Sequence, residues 1–390
     1  MSALAGAAAI AGIGATEFSK DSGRSELRLA VECVRGALDD AGLSASDVDG
    51  LVTFTMDGNA EIAVARELGI PELTFFGRVH YGGGAAAATV QQAAMAVATG
   101  AADVVVAYRA FNERSGHRFG QVSSAAAQQV NTSGVDNGYH YPAGLATPAA
   151  TVAMVAQRYL HEYGATSEDF GRIAVAARAH AATNPHAWFH GKPITLADHQ
   201  ASRWVAEPLH LLDCCQESDG GVALVITSAE RARDLPGTPV VVAAAAQGSG
   251  PDQYIMTSYY RADLAALPEM GVVGRQLWRD AGRTPSDVDV AVLYDHFTPY
   301  VLMQLEELGF CARGEAKDFV ADGRIGLDGD LPLNPHGGQL GEAYIHGMNG
   351  IAEAVRQIRG TAANQVADAR TVLVTAGTGV PTSGLILTAP

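Results

Sequence analysis

Leu27, Val31, Val34 and Leu38 recur at helical spacing ahead of Gly42, and Val273, Leu277 and Ala281 do the same ahead of Gly282. Apolar residues three or four apart line one face of a helix, so the spacing predicts two amphipathic helices, each ended by a glycine C-cap. The residues just beyond each helix are repeated as well. Ala41-Gly42 and Asp47-Val48-Asp49 in the first copy return as Ala281-Gly282 and Asp287-Val288-Asp289 in the second, and a short β-branched run comes next each time. The Ser-Asp pair reads as a turn into a buried strand.

A second parallel runs through the chain. Val90 to Gly100 reads as a helix feeding the strand Val104 to Tyr108, and Ile351 to Gly360 as a helix feeding, after an excursion, the strand Thr371 to Thr375. Near-continuous Val/Ala runs alternating with helices predict a parallel sheet covered on both faces. The expected fold class is α/β, with duplicated βαβ halves forming a layered α-β-α-β-α core. Thr151 to Gly221, with Asn184-Pro185 and Trp188, fits neither repeat and reads as a large insertion. The expected organisation is an N-terminal half at 1–150, an insertion at 151–221, and the remainder of the core with the C-terminal half at 222–390.

Composition narrows the function. The 390 residues are 48% hydrophobic and 17% charged, with a formal net charge of −16. Lys20, Lys192 and Lys317 are the only lysines. Nucleic acid and anionic membranes both need clustered basic charge, so neither is an expected partner. A few local arginines remain available to an anionic small molecule. The apolar opening from Met1 to Ile10 lacks a basic flank and is broken by glycines, so it reads as a first core strand rather than a signal. No transmembrane run is present. Cys33, Cys214, Cys215 and Cys311 do not make a disulfide framework in a chain this long, and a reduced cytoplasmic protein is expected.

Four stretches carry candidate chemistry. His80-Tyr81-Gly82-Gly83-Gly84 precedes a helix, where backbone N–H groups can approach an anion or an enolate oxygen. Tyr294-Asp295-His296-Phe297 lies at the carboxyl end of a second-copy strand, a favoured place for a site in an open α/β sheet. The third is Asn334-Pro335-His336-Gly337-Gly338 and on to Tyr344-Ile345-His346-Gly347, and the fourth is the turn Ala376 to Val380. Taken singly, the first two are equally open to a structural reading, as a tight turn and as a satisfied polar pair.

Together with Leu212-Asp213-Cys214-Cys215 and Asp219-Gly220-Gly221, these motifs and the duplicated core resemble the thiolase superfamily over nearly the whole chain. The similarity is greatest to the sterol-carrier-protein thiolases and their lipid-transfer-protein relatives. That resemblance implies the thiolase fold and a CoA thioester ligand. The departures from it are specific. Where such thiolases carry a nucleophilic cysteine at the start of a helix, this chain has Gly83. Their His-Asp-Cys-Phe motif appears as Tyr294 to Phe297, and their Gly-His-Pro motif falls on Ala343-Tyr344-Ile345. Many relatives have an activating cysteine where Gly377 and Thr378 stand here.

Without a thiolate no acyl-cysteine forms. Cys214 and Cys215 read as buried structural thiols. A cavity that holds a thioester and stabilises its enolate still supports retro-aldol cleavage, which needs one base and one acid and no covalent step. Tyr344 and Tyr294 are expected to share that work, with His296 and Asp295 tuning or orienting them. Gly83, Gly84, Gly379 and His346 are expected to contact the substrate. A Schiff-base design needs a desolvated lysine, whereas the three lysines lie in segments that read as peripheral. His180, His186, His190 and His199 lack standard metal-ligand spacing, and neither metal nor cofactor is expected.

The tyrosine-for-histidine pattern resembles the lipid-transfer-protein-type steroid aldolases. This resemblance implies cleavage of 17-hydroxy-3-oxo-4-pregnene-20-carboxyl-CoA to androst-4-ene-3,17-dione and propionyl-CoA. It also implies a thiolase-type homodimer bound to an OB-fold domain of a steroid enoyl-CoA hydratase, while the Ala-rich, Arg-over-Lys composition points to a bacterial, cytoplasmic setting. Two rival readings remain at this point: a thiolase-like protein that binds acyl-CoA or lipid without chemistry, and a Claisen-type acyltransferase with another nucleophile.

Overall fold

The repeated Asp-Val-Asp closes the same turn twice. A computed structural model of the chain describes residues 4–80, 82–116, 118, 138–253, 259–377 and 382–390. In the first half, β1 (Ala8–Ala15) leads through α1 (Glu26–Ala41) to β2 (Gly50–Phe54), and α2 (Glu61–Leu68) leads to β3 (Phe75–Val79). Then α3 (Ala86–Thr99) leads to β4 (Val104–Asn112). Two long helices follow, α4 (Pro148–Tyr163) and α5 (Ser167–Thr183), and a two-stranded ribbon, Trp204–Ala206 with Leu209–His210, precedes β5 (Asp219–Ser228). The second half runs β6 (Val240–Gly248), α6 (Pro268–Ala281), β7 (Val290–Val292), α7 (Thr298–Glu307), α8 (Met348–Arg359), β8 (Thr371–Ala376) and β9 (Thr382–Thr388).

Both α1 and α6 end on left-handed glycines, Gly42 and Gly282, as their spacing predicts. In the next turn Asp47 accepts from the Ser44 N–H at 2.9 Å, and Asp287 accepts from the Thr284 N–H at 2.7 Å. The second aspartate of each triplet reaches sideways. Asp49 accepts from the N–H groups of Asp103 and Val104, at 2.8 Å for the latter, and Asp289 from those of Arg370 and Thr371, at 2.9 and 2.8 Å. One carboxylate in each half thus aligns β4 beside β2, and β8 beside β7.

The nine strands form one sheet in the order β3-β2-β4-β5-β1-β6-β9-β8-β7. Read outward from the β1–β6 seam, β1, β5, β4 and β2 match β6, β9, β8 and β7, so the duplication in the sequence is a duplication of topology. The expectation of a parallel sheet is corrected. Only β2/β3, β2/β4 and β7/β8 are parallel, and the other pairs are antiparallel. A parallel crossover needs a dozen or more residues, and β9 begins at Thr382, too soon after Ala376 for one. Val/Ala runs buried on both faces look alike in either sense.

Alternating strand residues feed successive layers. Ala9, Leu51, Val104 and Val106 pack against α1 and α2 in one cluster. Ile10, Val105, Val372 and Leu385 turn the other way, onto α3 and α8. Leu373, Ile386, Ala291 and Leu293 face α6 and α7. The result is the expected α-β-α-β-α layering, with the alanine-rich α3 and its partner α8 between the two half-sheets. The glycines of the opening segment have a packing reason: a Cβ on Gly12 or Gly14 would lie 2.2 Å from the carbonyl oxygen of Ala37 or Cys33 in α1. Among the described residues, no helix is long and apolar enough to cross a membrane.

Candidate active site

The site is built where β7 ends. Leu293, one residue beyond that strand, has no strand partner on one side, and the side chain of Asn334 takes that place. Asn334 Oδ1 accepts from the Leu293 N–H at 2.8 Å and its Nδ2 donates to the Leu293 carbonyl at 3.0 Å. The Tyr294 backbone is held from two sides by residues that also bond each other. Its N–H donates to Thr375 Oγ1 (2.9 Å), Gln304 Nε2 donates to its carbonyl (2.9 Å), and Thr375 Oγ1 donates to Gln304 Oε1 (2.6 Å). The phenol therefore leaves a backbone fixed by β8 and α7. Asp295 faces away from it. Its carboxylate accepts from the Gln339 N–H at 2.8 Å, and a side chain on Gly338 would meet its Oδ2 at 1.9 Å. Asp295 thus orients the Asn334–Gly347 loop, and burial raises its carboxyl to about 6.

Tyr294 is 3% exposed, and its hydroxyl donates to that of Tyr344 at 3.1 Å. Tyr344 is partly accessible, and its own N–H donates to Ser218 Oγ at 3.1 Å. Gly83 completes the arrangement. A Cβ on Gly83 would lie 1.5 Å from Tyr294 Oη, so the phenol hydroxyl occupies the space a side chain at position 83 would need. Gly83 opens the short 3-10 turn that continues into α3, and the hydroxyl sits at the positive end of that helix. Gly377 packs against the Gly84 backbone, where its Cβ would be 2.2 Å from the Gly84 Cα. Ser383 Oγ donates to the Gly84 carbonyl and accepts from the Ala88 N–H at 3.1 Å. The first three candidate stretches and Gly377 therefore converge. Gly379 and Tyr81 lie outside the described residues.

Burial pushes both tyrosines well above the ordinary phenol value. Their mutual hydrogen bond works against burial at Tyr294 and with it at Tyr344. His296 is buried against Tyr300 (ring centroids 5.1 Å apart) and Tyr294 (4.7 Å), and burial lowers it to about 3. It is a neutral packing partner for Tyr294. His346 is also buried; its ring stacks on Phe111 at 4.9 Å and meets the Tyr344 ring edge-on at 4.9 Å.

Several polar residues around the pair carry no sequence motif. Arg109, on β4, donates to His346 Nδ1 at 3.2 Å and pairs with Asp57 at 3.1 Å. Glu113 is 2% exposed, and burial with the nearby Glu217 raises its carboxyl to about 9. Ser218 links the two groups: its N–H bonds Glu113 and its Oγ holds the Tyr344 N–H. The one available signal is a charge, Arg109, within a strand that otherwise reads as buried.

Two expectations are corrected. Lys20 is not peripheral: it is partly buried, lowered to about 8 chiefly by desolvation, and donates to Gln216 Oε1 (2.8 Å) and the Glu217 carbonyl (2.5 Å). Cys215 is not sealed in the core either. It is partly accessible, its N–H donates to the His296 carbonyl at 2.8 Å, and its thiol interacts electrostatically with both tyrosines. Burial and Glu113 hold that thiol well above its ordinary value, which disfavours a nucleophilic thiolate. Of the four insertion histidines, His180 bonds the Asn334 carbonyl (3.2 Å) and His199 bonds Asp213 (2.8 Å).

Residues 8–230 match the thiolase N-terminal domain, and residues 253–388 match the thiolase C-terminal domain-like family. The chain belongs to the thiolase family. Among thiolase-family relatives, it is 71% identical to the 17-hydroxy-3-oxo-4-pregnene-20-carboxyl-CoA lyase of Mycobacterium tuberculosis, over 98% of this chain and 100% of that protein. It is 68% identical to the steroid side-chain-cleaving aldolase of Thermomonospora curvata, over 99% of each. A solved Ltp2-ChsH2(DUF35) aldolase superposes with a TM-score of 0.95 at 68% identity, covering 100% of this chain and 99% of that one. In this thiolase-family chain, the position over the first residue of the helix turn holds a phenol, with no thiol at position 83.

Proposed function

We propose that the chain is a carbon–carbon lyase that cleaves 17-hydroxy-3-oxo-4-pregnene-20-carboxyl-CoA by a retro-aldol reaction, giving androst-4-ene-3,17-dione and propionyl-CoA. The observation that carries this reading is the Tyr294 hydroxyl seated over Gly83 and hydrogen-bonded to Tyr344. An acyl-cysteine route has no nucleophile there, while two phenols in contact supply one base and one acid. The high identity to a lyase and an aldolase named for this chemistry supports the same reading.

In the reactive form Tyr294 is the phenolate, supported against burial by the helix N-terminus and by a hydrogen bond then donated by Tyr344, and it takes the proton of the β-hydroxyl group. The bond between the hydroxyl-bearing carbon and the thioester α-carbon breaks, leaving a ketone and a thioester enolate. Tyr344 protonates the α-carbon. Tyr294 then holds the substrate's proton and Tyr344 lacks one, and a single transfer across their 3.1 Å contact restores both. No proton need be drawn from solvent during turnover. Asp295 and His296 keep the loop and the Tyr294 ring in place, and Gly83, Gly84, Gly379 and His346 are proposed to contact the thioester. A homodimer bound to an OB-fold domain of a steroid enoyl-CoA hydratase is the proposed working form, in line with a solved aldolase named for two components.

Tyr294→Phe and Tyr344→Phe should each lower kcat by a factor of about 10² or more, in the range typical of a lost acid or base. Exchange of the propionyl-CoA α-proton in deuterated buffer separates the two roles. Tyr344→Phe should abolish it more completely than Tyr294→Phe. Near-wild-type cleavage by both folded variants would sink the proposal.

A further inference from the structure

Arg109 is 1% exposed, and its guanidinium bonds in two directions: Nη1 to Asp57 Oδ2 at 3.1 Å and Nε to His346 Nδ1 at 3.2 Å. A guanidinium has donors and no acceptor. His346 Nδ1 must therefore accept, and the proton of the neutral ring must lie on Nε2. The ring has little freedom to turn away, because Phe111 stacks on it at 13° with centroids 4.9 Å apart. The guanidinium covers the same Phe111, 4.1 Å from its centroid. Burial and the Arg109 cation both disfavour a second proton on the imidazole.

The Nε2 end of the ring lies beside the glycines. The point where a Cβ on Gly82 would sit is 3.8 Å from His346 Nε2, and the equivalent point on Gly83 is occupied by Tyr294 Oη. Imidazole and phenol therefore face adjacent residues of one side-chain-free turn. Had an acceptor stood in place of Arg109, Nδ1 would carry the proton and Nε2 would be a base. A donor there makes Nε2 a proton-bearing group that cannot act as one, in keeping with a tyrosine base.

We propose that Arg109, braced by Asp57, is a positioning residue that holds His346 as an Nε2–H donor to the thioester oxygen as it becomes an enolate oxygen. The proposal rests on the retro-aldol reading, because the enolate arises there, and Arg109 itself touches no substrate. A donor placed where charge develops favours the transition state over the ground state.

The ¹⁵N spectrum of the histidine-labelled full chain, with His346 assigned by its loss in His346→Asn, tests the proposal directly. The expected pattern is an unprotonated Nδ1 and a protonated Nε2 that do not titrate between about pH 6 and 8.5, where a free imidazole would. Saturation with propionyl-CoA should shift the Nε2–H signal. Arg109→Met combined with Asp57→Asn leaves no lone buried charge. It should mix the tautomers and lower kcat about 10- to 100-fold, with KM changed by less than about threefold. An Nδ1–H tautomer, a titrating ring, an Nε2–H indifferent to bound propionyl-CoA, or wild-type kcat in the folded double variant would each overturn it. Wild-type protein that shows the spectral pattern without cleaving the steroid thioester would instead sink the retro-aldol reading. The thioester donor would then stand on the propionyl-CoA shift.

Discussion

Adding one methyl group at Gly83 would put a carbon 1.5 Å from Tyr294 Oη and 2.3 Å from its Cζ, so either the helix start or the phenol must move. Gly83→Ala is therefore expected to cost about 1–3 kcal/mol, as overpacked sites do. It should also reduce cleavage at least about tenfold, because misplacing a reacting group even slightly is costly. In a Tyr294→Leu background the same alanine should cost far less stability, since the atoms it strikes are gone. Equal penalties in the two backgrounds, read by urea denaturation, would refute the coupling. This coupling explains how much of the site is legible in the sequence. Gly83, Tyr294 and Tyr344 stand out as departures from thiolase motifs, but the reason they occur together is a steric exclusion between residues far apart in the chain. Arg109, Asp57 and Glu113 belong to no motif, and only the folded chain brings them beside the loop that bears Tyr344 and His346. Lys20 read as peripheral for the same reason: its desolvation comes from residues nearly 200 positions away.

At the scale of elements, Asp49 and Asp289 perform one task in the two halves, each receiving the backbone N–H groups at the entry to the neighbouring parallel strand. Hydrogen bonds to a charged acceptor are worth about 1.5–3 kcal/mol, and the exposure of these loops argues for the lower end. Asp49→Ala and Asp289→Ala should each cost about 1–2 kcal/mol, and their penalties should add in the double variant because the sites are distant. Neither residue bonds the tyrosine pair or its supports, so kcat should be unchanged; a shortfall in additivity by denaturation would show that the halves are coupled at these turns. The duplication was legible because such turns need particular chemistry: a glycine to end the helix, an aspartate to cap the turn, a second to tie the strands. Strand direction was not legible, because β5 (Asp219–Ser228) and β8 are buried on both faces whichever way they run. Connection length carried that information, and it becomes decisive only once the ends of β8 and β9 are known.

The molecule as a whole keeps ionisable groups in its interior while carrying a formal charge of −16, so its stability should depend on pH in a particular direction. Glu113 is raised to about 9, Glu342 to about 7 and Asp295 to about 6, each chiefly by burial. A carboxyl raised on folding binds more protons in the folded state than in the unfolded one between its ordinary value and its folded value. Stability therefore falls as pH rises through that window, by about 1.4 kcal/mol per pH unit for each fully buried group. Between pH 7 and 8 Glu113 is the group of the three still protonated when folded. Lys20, lowered to about 8, acts in the opposite sense: its folded form releases a proton that the unfolded chain keeps, which adds stability as pH rises above 8. The comparison therefore belongs between about pH 6.5 and 8, below the range where the lysine offsets the acid. There Glu113→Gln, which keeps an acceptor for the Ser218 N–H, should lose about 1–2 kcal/mol less than the wild type on the same pH step. Urea denaturation at the two pH values reads this as a flatter dependence for the variant. Parallel slopes would mean that Glu113 is already ionised in the folded protein, and with it that a negative charge stands beside the two phenols throughout turnover.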